Sequence, residues 1–409
     1  MRVLVVNVHF APDSYGGATV IAEENVQHLA ATGHEVVVVT GTDDRRVPHG
    51  NMVRYSALGV PVVALGLGRE TDTAAQYRDG LTTRRFVEIL ATVRPDVVHF
   101  HAVQRLGVGC VEAALDADIA TVVTLHDAWW FCERQFMVRP NGEFCGQVAI
   151  QADVCSTCIA DADAHEQRQM SSREILNRCQ AVLVPSDFWR TVMVGSGVYS
   201  EIVRVNRNGV TMPREGFQRT PYEGPVRFGF VGGRGQIKGR DQLLAALRSL
   251  DRSDYLLRVV DTTTNLGRSS MAAHHFNVPG EVQIVPGYRR AGLDDFFDSI
   301  DVLLFPSQWR ESFGLTVREA TLRGVWCVVT DSGGTVEDIV DGVNGTVIPL
   351  DGGYEHLAAA VGRILAHPDG FVPDPAAAVA IRTPRQQADE LAGILSEVAA
   401  RQREMRHES

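Results

Sequence analysis

Several things are missing from this 409-residue chain, and each absence closes a class of function. No apolar run approaches the roughly 20 residues that cross a bilayer as a helix. The opening residues, Met1-Arg-Val-Leu-Val-Val-Asn-Val, pass straight into strand chemistry without the cleavage site of a secretory leader, so a cytoplasmic location is the default expectation. Basic charge is short: 39 Lys and Arg stand against 50 Asp and Glu, a net charge of -11. That excludes the broad basic face of a nucleic-acid-binding domain. It also argues against strong binding to anionic lipid, leaving only a local basic patch open for weak membrane association. Short repeats and low-complexity tracts are absent, which removes solenoids and disordered linkers. Two glycine-rich turns stop short of familiar fingerprints. Ser14-Tyr-Gly-Gly-Ala-Thr19 lacks the full Gly-x-Gly-x-x-Gly of a dinucleotide dehydrogenase, and Val231-Gly-Gly-Arg-Gly-Gln-Ile-Lys-Gly239 lacks the P-loop spacing.

What remains is ordinary globular composition, 45% hydrophobic and 22% charged, with length enough for two or three domains, two preferred. Short Val/Leu/Ile runs alternate with longer amphipathic stretches, the pattern of βα units on a parallel sheet. Strands are expected at Val3–Val8, Glu35–Thr40, Val97–His101, Thr121–Leu125 and Ala181–Pro185. A second series follows at Val226–Val231, Tyr255–Val260, Val282–Val285, Val302–Phe305, Val325–Thr330 and Thr346–Ile348. Helices are expected at Gly17–Ala31, Asp241–Leu250 and Pro384–Glu404. The fold class is α/β: two doubly wound Rossmann-like domains facing each other across a cleft. The first domain spans 1–208 with a Cys-rich insertion at 131–163, a linker covers 209–224, the second domain spans 225–383, and a helix at 384–409 packs back toward the first. Ligands bind at strand C-terminal ends in such sheets.

The chemistry-bearing residues sit at those ends. Glu311-Ser-Phe-Gly-Leu-Thr-Val-Arg-Glu319 follows a buried strand and opens a helix, whose free N–H groups suit a phosphate. Two carboxylates, Glu311 and Glu319, can accept hydrogen bonds from hydroxyls. Phosphate with two sets of hydroxyls describes a nucleotide sugar. Arg234 and Lys238 on the second glycine turn can neutralise a diphosphate. Gly16 and Gly17 let backbone approach a ligand closely. His126 ends a strand, where a sugar hydroxyl or leaving phosphate is within reach, although a hydrogen-bonded structural role is the commoner fate of a single His. Trp129 and Trp130 suit either stacking on an acceptor or core packing. His99 and His101 share one side of a strand, which favours a structural role over a metal pair.

Taken in order these pieces resemble the retaining glycosyltransferases of family four, which have the GT-B fold. The resemblance covers nearly the whole chain. It runs through Tyr15-Gly16-Gly17, Pro95-Asp-Val-Val-His99-Phe-His101, His126-Asp127, Val184-Pro-Ser-Asp187, Asn208-Gly-Val210, Gly233…Lys238-Gly239, Glu311-x7-Glu319, Gly333-Gly334…Glu337 and Asn344-Gly345. It implies that Glu311 accepts from a donor-sugar hydroxyl and Glu319 holds the ribose diol. Gly314, Leu315 and Thr316 would bind the diphosphate beside Phe313, with Lys238 neutralising it and His126 next to the donor sugar. Gly16 and Gly17 would floor the site, and the base would lie near Pro286-Gly-Tyr288. Gly233 occupies the place where the family carries an arginine, one residue before Arg234. Tyr15, His101, Asp127, Trp129 and Trp130 fall on the acceptor side.

The implied activity is retaining, metal-independent transfer of a hexose from a nucleotide diphosphate sugar, a UDP-sugar being the commonest choice, to an acceptor hydroxyl. Glu23 and Glu24 stand where membrane-docked relatives carry a basic helix, which favours a soluble small molecule or glycan precursor as acceptor. A nucleotide-sugar 2-epimerase and a non-catalytic nucleotide-sugar-binding protein are the rival readings, and the Glu-x7-Glu motif with Lys238 favours transfer. No Asp-x-Asp stands at a strand end, so no catalytic metal is expected. Cys132, Cys145, Cys155 and Cys158 admit a structural zinc, reduced thiols or disulfides. Nothing in the sequence fixes an oligomeric state.

Overall fold

The computed structural model describes residues 1–68, 76–233, 235–288, 290–373 and 381–408. It divides into two compact units. One holds Met1–Gln135, Gln147–Gly209 and Pro384–Ser409; the other holds Phe136–Gly146 and Val210–Thr383.

The first unit is built on eight strands, β1 (Arg2–Val6), β2 (Glu35–Thr42), β3 (Met52–Ala57), β4 (Val60–Gly66), β5 (Val97–Phe100), β6 (Ala120–Thr124), β7 (Ala181–Val184) and β8 (Val203–Val205), in the order β3-β4-β2-β1-β5-β6-β7-β8. All neighbours are parallel except β3 and β4. The central strands β5, β6 and β7 are buried along their whole length, as continuous Val-rich runs covered on both faces must be. β3 is an exposed edge strand. The helix Pro384–Glu408 belongs to this unit: Leu391, Leu395 and Val398 join Val3, Val5, Val97 and Ala120 in one core. Gln387 fixes its entry, accepting from Gly209 N–H at 2.8 Å and donating to the Asn206 and Asn208 side-chain oxygens at 3.3 Å.

Six strands make the second unit: β9 (Val226–Phe230), β10 (Tyr255–Asp261), β11 (Glu281–Pro286), β12 (Val302–Phe305), β13 (Trp326–Thr330) and β14 (Gly345–Ile348). Their order is β11-β10-β9-β12-β13-β14, all parallel. One face packs Phe228, Phe230 and Leu257 against the helices Arg240–Ser249 and Gly353–Ala366. The other packs Leu303, Phe305 and Val329 against Leu293–Asp298 and Leu315–Thr321. Among the described residues no helix is long and apolar enough to cross a membrane.

In each sheet the winding reverses once. β1 has β2 on one side and β5 on the other; β9 has β10 on one side and β12 on the other. Loops leaving the two strands at a reversal diverge, and the crevice they open is where such sheets bind ligands.

Candidate active site

In the second unit the reversal brings two distant charges together. The β9 loop carries Lys238 and the β12 loop carries Glu311. Lys238 Nζ donates to Glu311 Oε1 at 2.6 Å. Ser307 Oγ donates to the same oxygen, also at 2.6 Å. Ser307 is itself held from behind, its carbonyl accepting from Thr330 Oγ1 at 2.7 Å. The loops meet backbone to backbone: Gln308 N–H donates to the Ile237 carbonyl at 2.8 Å. Gly239 explains how they come so close. Its φ is +76°, and a Cβ there would lie 1.7 Å from the Pro306 carbonyl oxygen. Any side chain would pry the loops apart, so the residue after Lys238 has to be glycine.

The ammonium lies 5.4 Å from the Phe305 ring centre and 5.6 Å from that of Trp309, at cation–π distance. Glu311 is buried while the Lys238 side chain keeps 30% of its surface exposed. The pair is thus anchored on the acid and open on the base. Lys238 is also the only lysine in the chain; every other basic side chain counted with it is arginine. The segment Phe136–Gly146 of this unit lies alongside, with Phe136 edge-on to Trp309 at 5.1 Å and Arg310 over Phe144 at 5.2 Å.

Beyond Glu311 the chain turns into the helix Leu315–Thr321. Gly314 makes the turn at φ +84°, where a Cβ would press on Thr335 Oγ1 at 2.9 Å. The first N–H groups of a helix have no acceptor within it, so those of Leu315 and Thr316 face outward from the turn. Arg318, which sequence reasoning passed over, holds this turn. It is fully buried, donates to the Phe313 carbonyl and the Asp338 carboxylate, and reaches the Gly334 carbonyl at 2.9 Å. Its guanidinium lies 3.7 Å from the Phe313 ring centre. Gly334 N–H in turn donates to the Glu311 carbonyl at 2.9 Å. The signal in the sequence was the helical spacing of Val317, Arg318, Ala320 and Thr321, all buried, which places an arginine on an inward face.

Farther along the same helix, burial pushes the Glu319 carboxyl up to about 7, against the pull of nearby Arg323. Tyr288, from the loop after β11, is drawn to it: burial and the Glu319 charge push the phenol well above its ordinary value, and Thr316 hydrogen-bonds it. The Tyr288 ring stacks on Phe296 at 4.9 Å. Tyr288, Thr316 and Glu319, separate in sequence, therefore share one patch.

The first unit has its own cluster at the strand ends. His99 Nε2 pairs with Thr124 Oγ1 at 2.8 Å, and His101 Nδ1 pairs with His126 Nε2 at 2.8 Å. The His101 and His126 rings lie edge to edge in nearly one plane, their centres 5.1 Å apart and their planes 12° apart, and the His99 ring centre lies 4.1 Å from that of His101. Burial lowers His99 to about 3 and His126 to about 4, and takes His101 well below the ordinary range. All three imidazoles are neutral in ordinary buffers. A small cavity adjoins them, lined in part by Gln104, Thr124 and Asp127. At Gly16, φ is +81° and the space a Cβ would fill is empty to 4 Å. Tyr15 beside it is exposed, edge-on to His9 at 5.9 Å.

Several sequence expectations need correction. Trp129 and Trp130 are both buried, with their carbonyls held by Arg168 and Ser172, so core packing is the larger part of their role, although both also line the small cavity beside His126. Asp127 organises that loop, accepting from Trp129 N–H at 2.8 Å and Gln135 Nε2 at 2.7 Å, while burial pushes its carboxyl up. His101 is buried and lines the small cavity together with His126. Glu24, one of the two acidic residues set against a basic membrane-docking helix, is buried, while Glu23 accepts from Ser14 Oγ. Among the described residues no group of three or more His, Cys, Asp or Glu is placed to hold a metal ion. Gly17 is the second residue of the first helix, Gly16–Ala31, and Gly233 has φ +61°. Arg234 lies outside the described residues.

Comparison with known proteins matches residues 16–209 to the glycosyl transferase 4-like domain and residues 212–377 to glycosyl transferases group 1. The chain is 26% identical over 412 residues to a GDP-mannose-dependent alpha-mannosyltransferase of Mycolicibacterium smegmatis, covering 98% of each. It is 27% identical over 394 residues to a glycogen synthase of Mycobacterium tuberculosis, covering 90% of this chain and 87% of that one. Among solved structures, the Anabaena protein HepE in complex with UDP and glucose matches with a TM-score of 0.65 at 16% identity, covering 97% of this chain and 99% of that one.

Proposed function

The chain belongs to the family-four glycosyltransferases of GT-B fold, and from that premise we propose that it moves a hexose, with retention at the anomeric carbon, from a nucleotide diphosphate sugar to an acceptor hydroxyl. The observation that carries the reading is the Lys238–Glu311 pair at the reversal of the second sheet, next to the helix start at Gly314. A diphosphate settling there exchanges the Glu311 carboxylate for its own oxygens on Lys238. Glu311 is then released to accept from a sugar hydroxyl. The N–H groups of Gly314, Leu315 and Thr316 add donors to the phosphates, and Glu319 accepts from the ribose diol beside Tyr288.

In the chemical step the bond from the anomeric carbon to the leaving phosphate oxygen breaks. The acceptor oxygen bonds to that carbon from the same face, and its proton passes to the leaving oxygen. Negative charge grows on the diphosphate, where Lys238 stabilises it in place. His126 is assigned a hydrogen bond to an oxygen of the reacting sugar. No step calls on a metal, and the reaction is placed in the cytoplasm on a small molecule or glycan precursor.

The test is a panel of UDP-, GDP- and ADP-hexoses with simple hydroxyl acceptors, in the presence of chelator. Free nucleotide and an α-glycoside from an α-linked donor are expected. UDP-glucose and GDP-mannose head the panel, the second because of the mannosyltransferase relative. Binding without nucleotide release, or epimerised donor in place of glycoside, would overturn the reading.

Glu319 offers a separate check. Its carboxyl stands at about 7 against an ordinary 4.5, so protonation favours the folded state. That stabilisation is whole below about pH 4.5 and is lost as pH rises through 7. Keeping the charge buried at pH 8 costs of the order of 2–3 kcal/mol. Glu319→Gln is therefore expected to melt higher than wild type at pH 8, with no gain at pH 4.5. Its donor KM should rise several-fold at pH 8. An unchanged melting difference across that range would refute the buried-charge assignment, and an unchanged KM the ribose contact.

A further inference from the structure

We infer that His101 is a positioning residue that fixes the tautomer of His126, so that His126 presents an Nδ1–H donor to an oxygen of the sugar substrate. The inference deepens the functional reading above and rests on it for the identity of that oxygen. The two rings meet through His101 Nδ1 and His126 Nε2 at 2.8 Å. Both are neutral, so each has one N–H and one bare nitrogen, and only one proton lies between them. Which ring owns it decides what His126 shows to the ligand.

His101 itself settles the question. Its other nitrogen, Nε2, is buried and has no hydrogen-bond partner among the described residues. Buried N–H groups without an acceptor are rarer than buried acceptors without a donor. The proton of His101 therefore sits on Nδ1, inside the hydrogen bond, and Nε2 is a bare lone pair. His101 donates, and His126 Nε2 accepts. The proton of His126 then has to be on Nδ1.

The next ring obeys the same rule. Among the described residues His99 Nδ1 is also buried without a partner, while His99 Nε2 is bonded to Thr124 Oγ1 at 2.8 Å. Its proton belongs on Nε2, donated to the threonine. His99 thus lies anchored 4.1 Å from His101 and blocks rotation of its ring. The period-two spacing of His99 and His101, which looks like a structural accident of one strand, places an anchor behind the residue that orients His126.

Nitrogen-15 NMR of histidine-labelled protein tests this directly, with signals assigned through His101→Asn and His126→Asn. Wild type should show protonated Nδ1 on both His101 and His126, with both Nε2 atoms bare. Protonated Nε2 on either ring overturns the inference. Kinetics give a second reading. Asn places an amide N–H near the position of His Nδ1, so His101→Asn should recover most of the turnover lost by His101→Leu. The loss in His101→Leu is expected to be roughly 10-fold in kcat, the scale of one misdirected hydrogen bond, with donor KM nearly unchanged. Equal activity in the Leu variant and wild type, or no recovery by Asn, also overturns it. The NMR result does not depend on turnover. A wild-type chain with the expected tautomers but no transferase activity would overturn the proposed function and leave the imidazole assignment standing.

Discussion

Lys238→Ala should lower turnover about 100- to 1,000-fold, the cost of removing one preorganised charge from a growing anion. Lys238→Arg should recover little of that, although it keeps the charge. The reason is geometric. The ammonium meets Glu311 Oε1 at 2.6 Å, with the Phe305 and Trp309 rings beside it. A compact point charge fits that space, and a planar guanidinium fork is wider and demands paired acceptors. The composition points the same way. Arginine serves at every other basic position, and lysine survives only here. A chain that uses arginine wherever a cation suffices has kept lysine where shape decides.

The variant also strands the buried Glu311 without its cation, leaving Ser307 as its side-chain donor among the described residues. A double variant with Glu311→Gln separates that structural cost from lost catalysis: stability should return while turnover stays low. The single lysine permits a test without mutation. An amine-selective acylating reagent meets only Lys238 and the N-terminal amine, so inactivation should follow one modification and be slowed by donor nucleotide. Near-normal rates in Lys238→Ala, or acylation of Lys238 without loss of activity, would remove the residue from the mechanism.

Much of this site was legible because strand, turn and helix follow one another locally. Lys238-Gly239 after β9 and Glu311 before a helix each carry their chemistry in a few residues. Their pairing was not legible, since 73 positions separate them and only the sheet order makes them neighbours. The same holds for His101 with His126 and for Tyr288 with Glu319. In the fold, the buried parallel strands stood out as apolar runs, whereas the β3–β4 hairpin did not. Its turn is Leu58-Gly59, both with positive φ, and a leucine there carries none of the usual Asn or Asp signal. The burial of Glu24 was hidden for a different reason: helix face decides whether a charge meets water, and Glu24 turned inward. Composition had one further signal, the lone lysine, which pointed at the site without any structure.

Arg318→Leu should be the most destabilising change at this site. Arg318 is a buried cation bridging the Asp338 carboxylate and the Phe313 and Gly334 carbonyls. Removing one partner of a buried ion pair costs about 3–5 kcal/mol, because the other charge stays buried alone. For a unit of this size that corresponds to a melting temperature lower by roughly 10 °C. The functional effect follows from the same contacts. Gly334 N–H holds the Glu311 carbonyl, and Phe313 leads into the Gly314 turn; both loosen when the guanidinium goes. Arg318→Lys separates charge from shape. It can still face Asp338, yet one ammonium cannot serve two carbonyls in the fixed fork geometry. Its stability should be intermediate, while donor KM rises nearly as far as in Arg318→Leu. If Arg318→Leu melted with wild type and bound donor normally, the turn carrying Glu311 would owe its geometry to Gly314 and Gly334 alone.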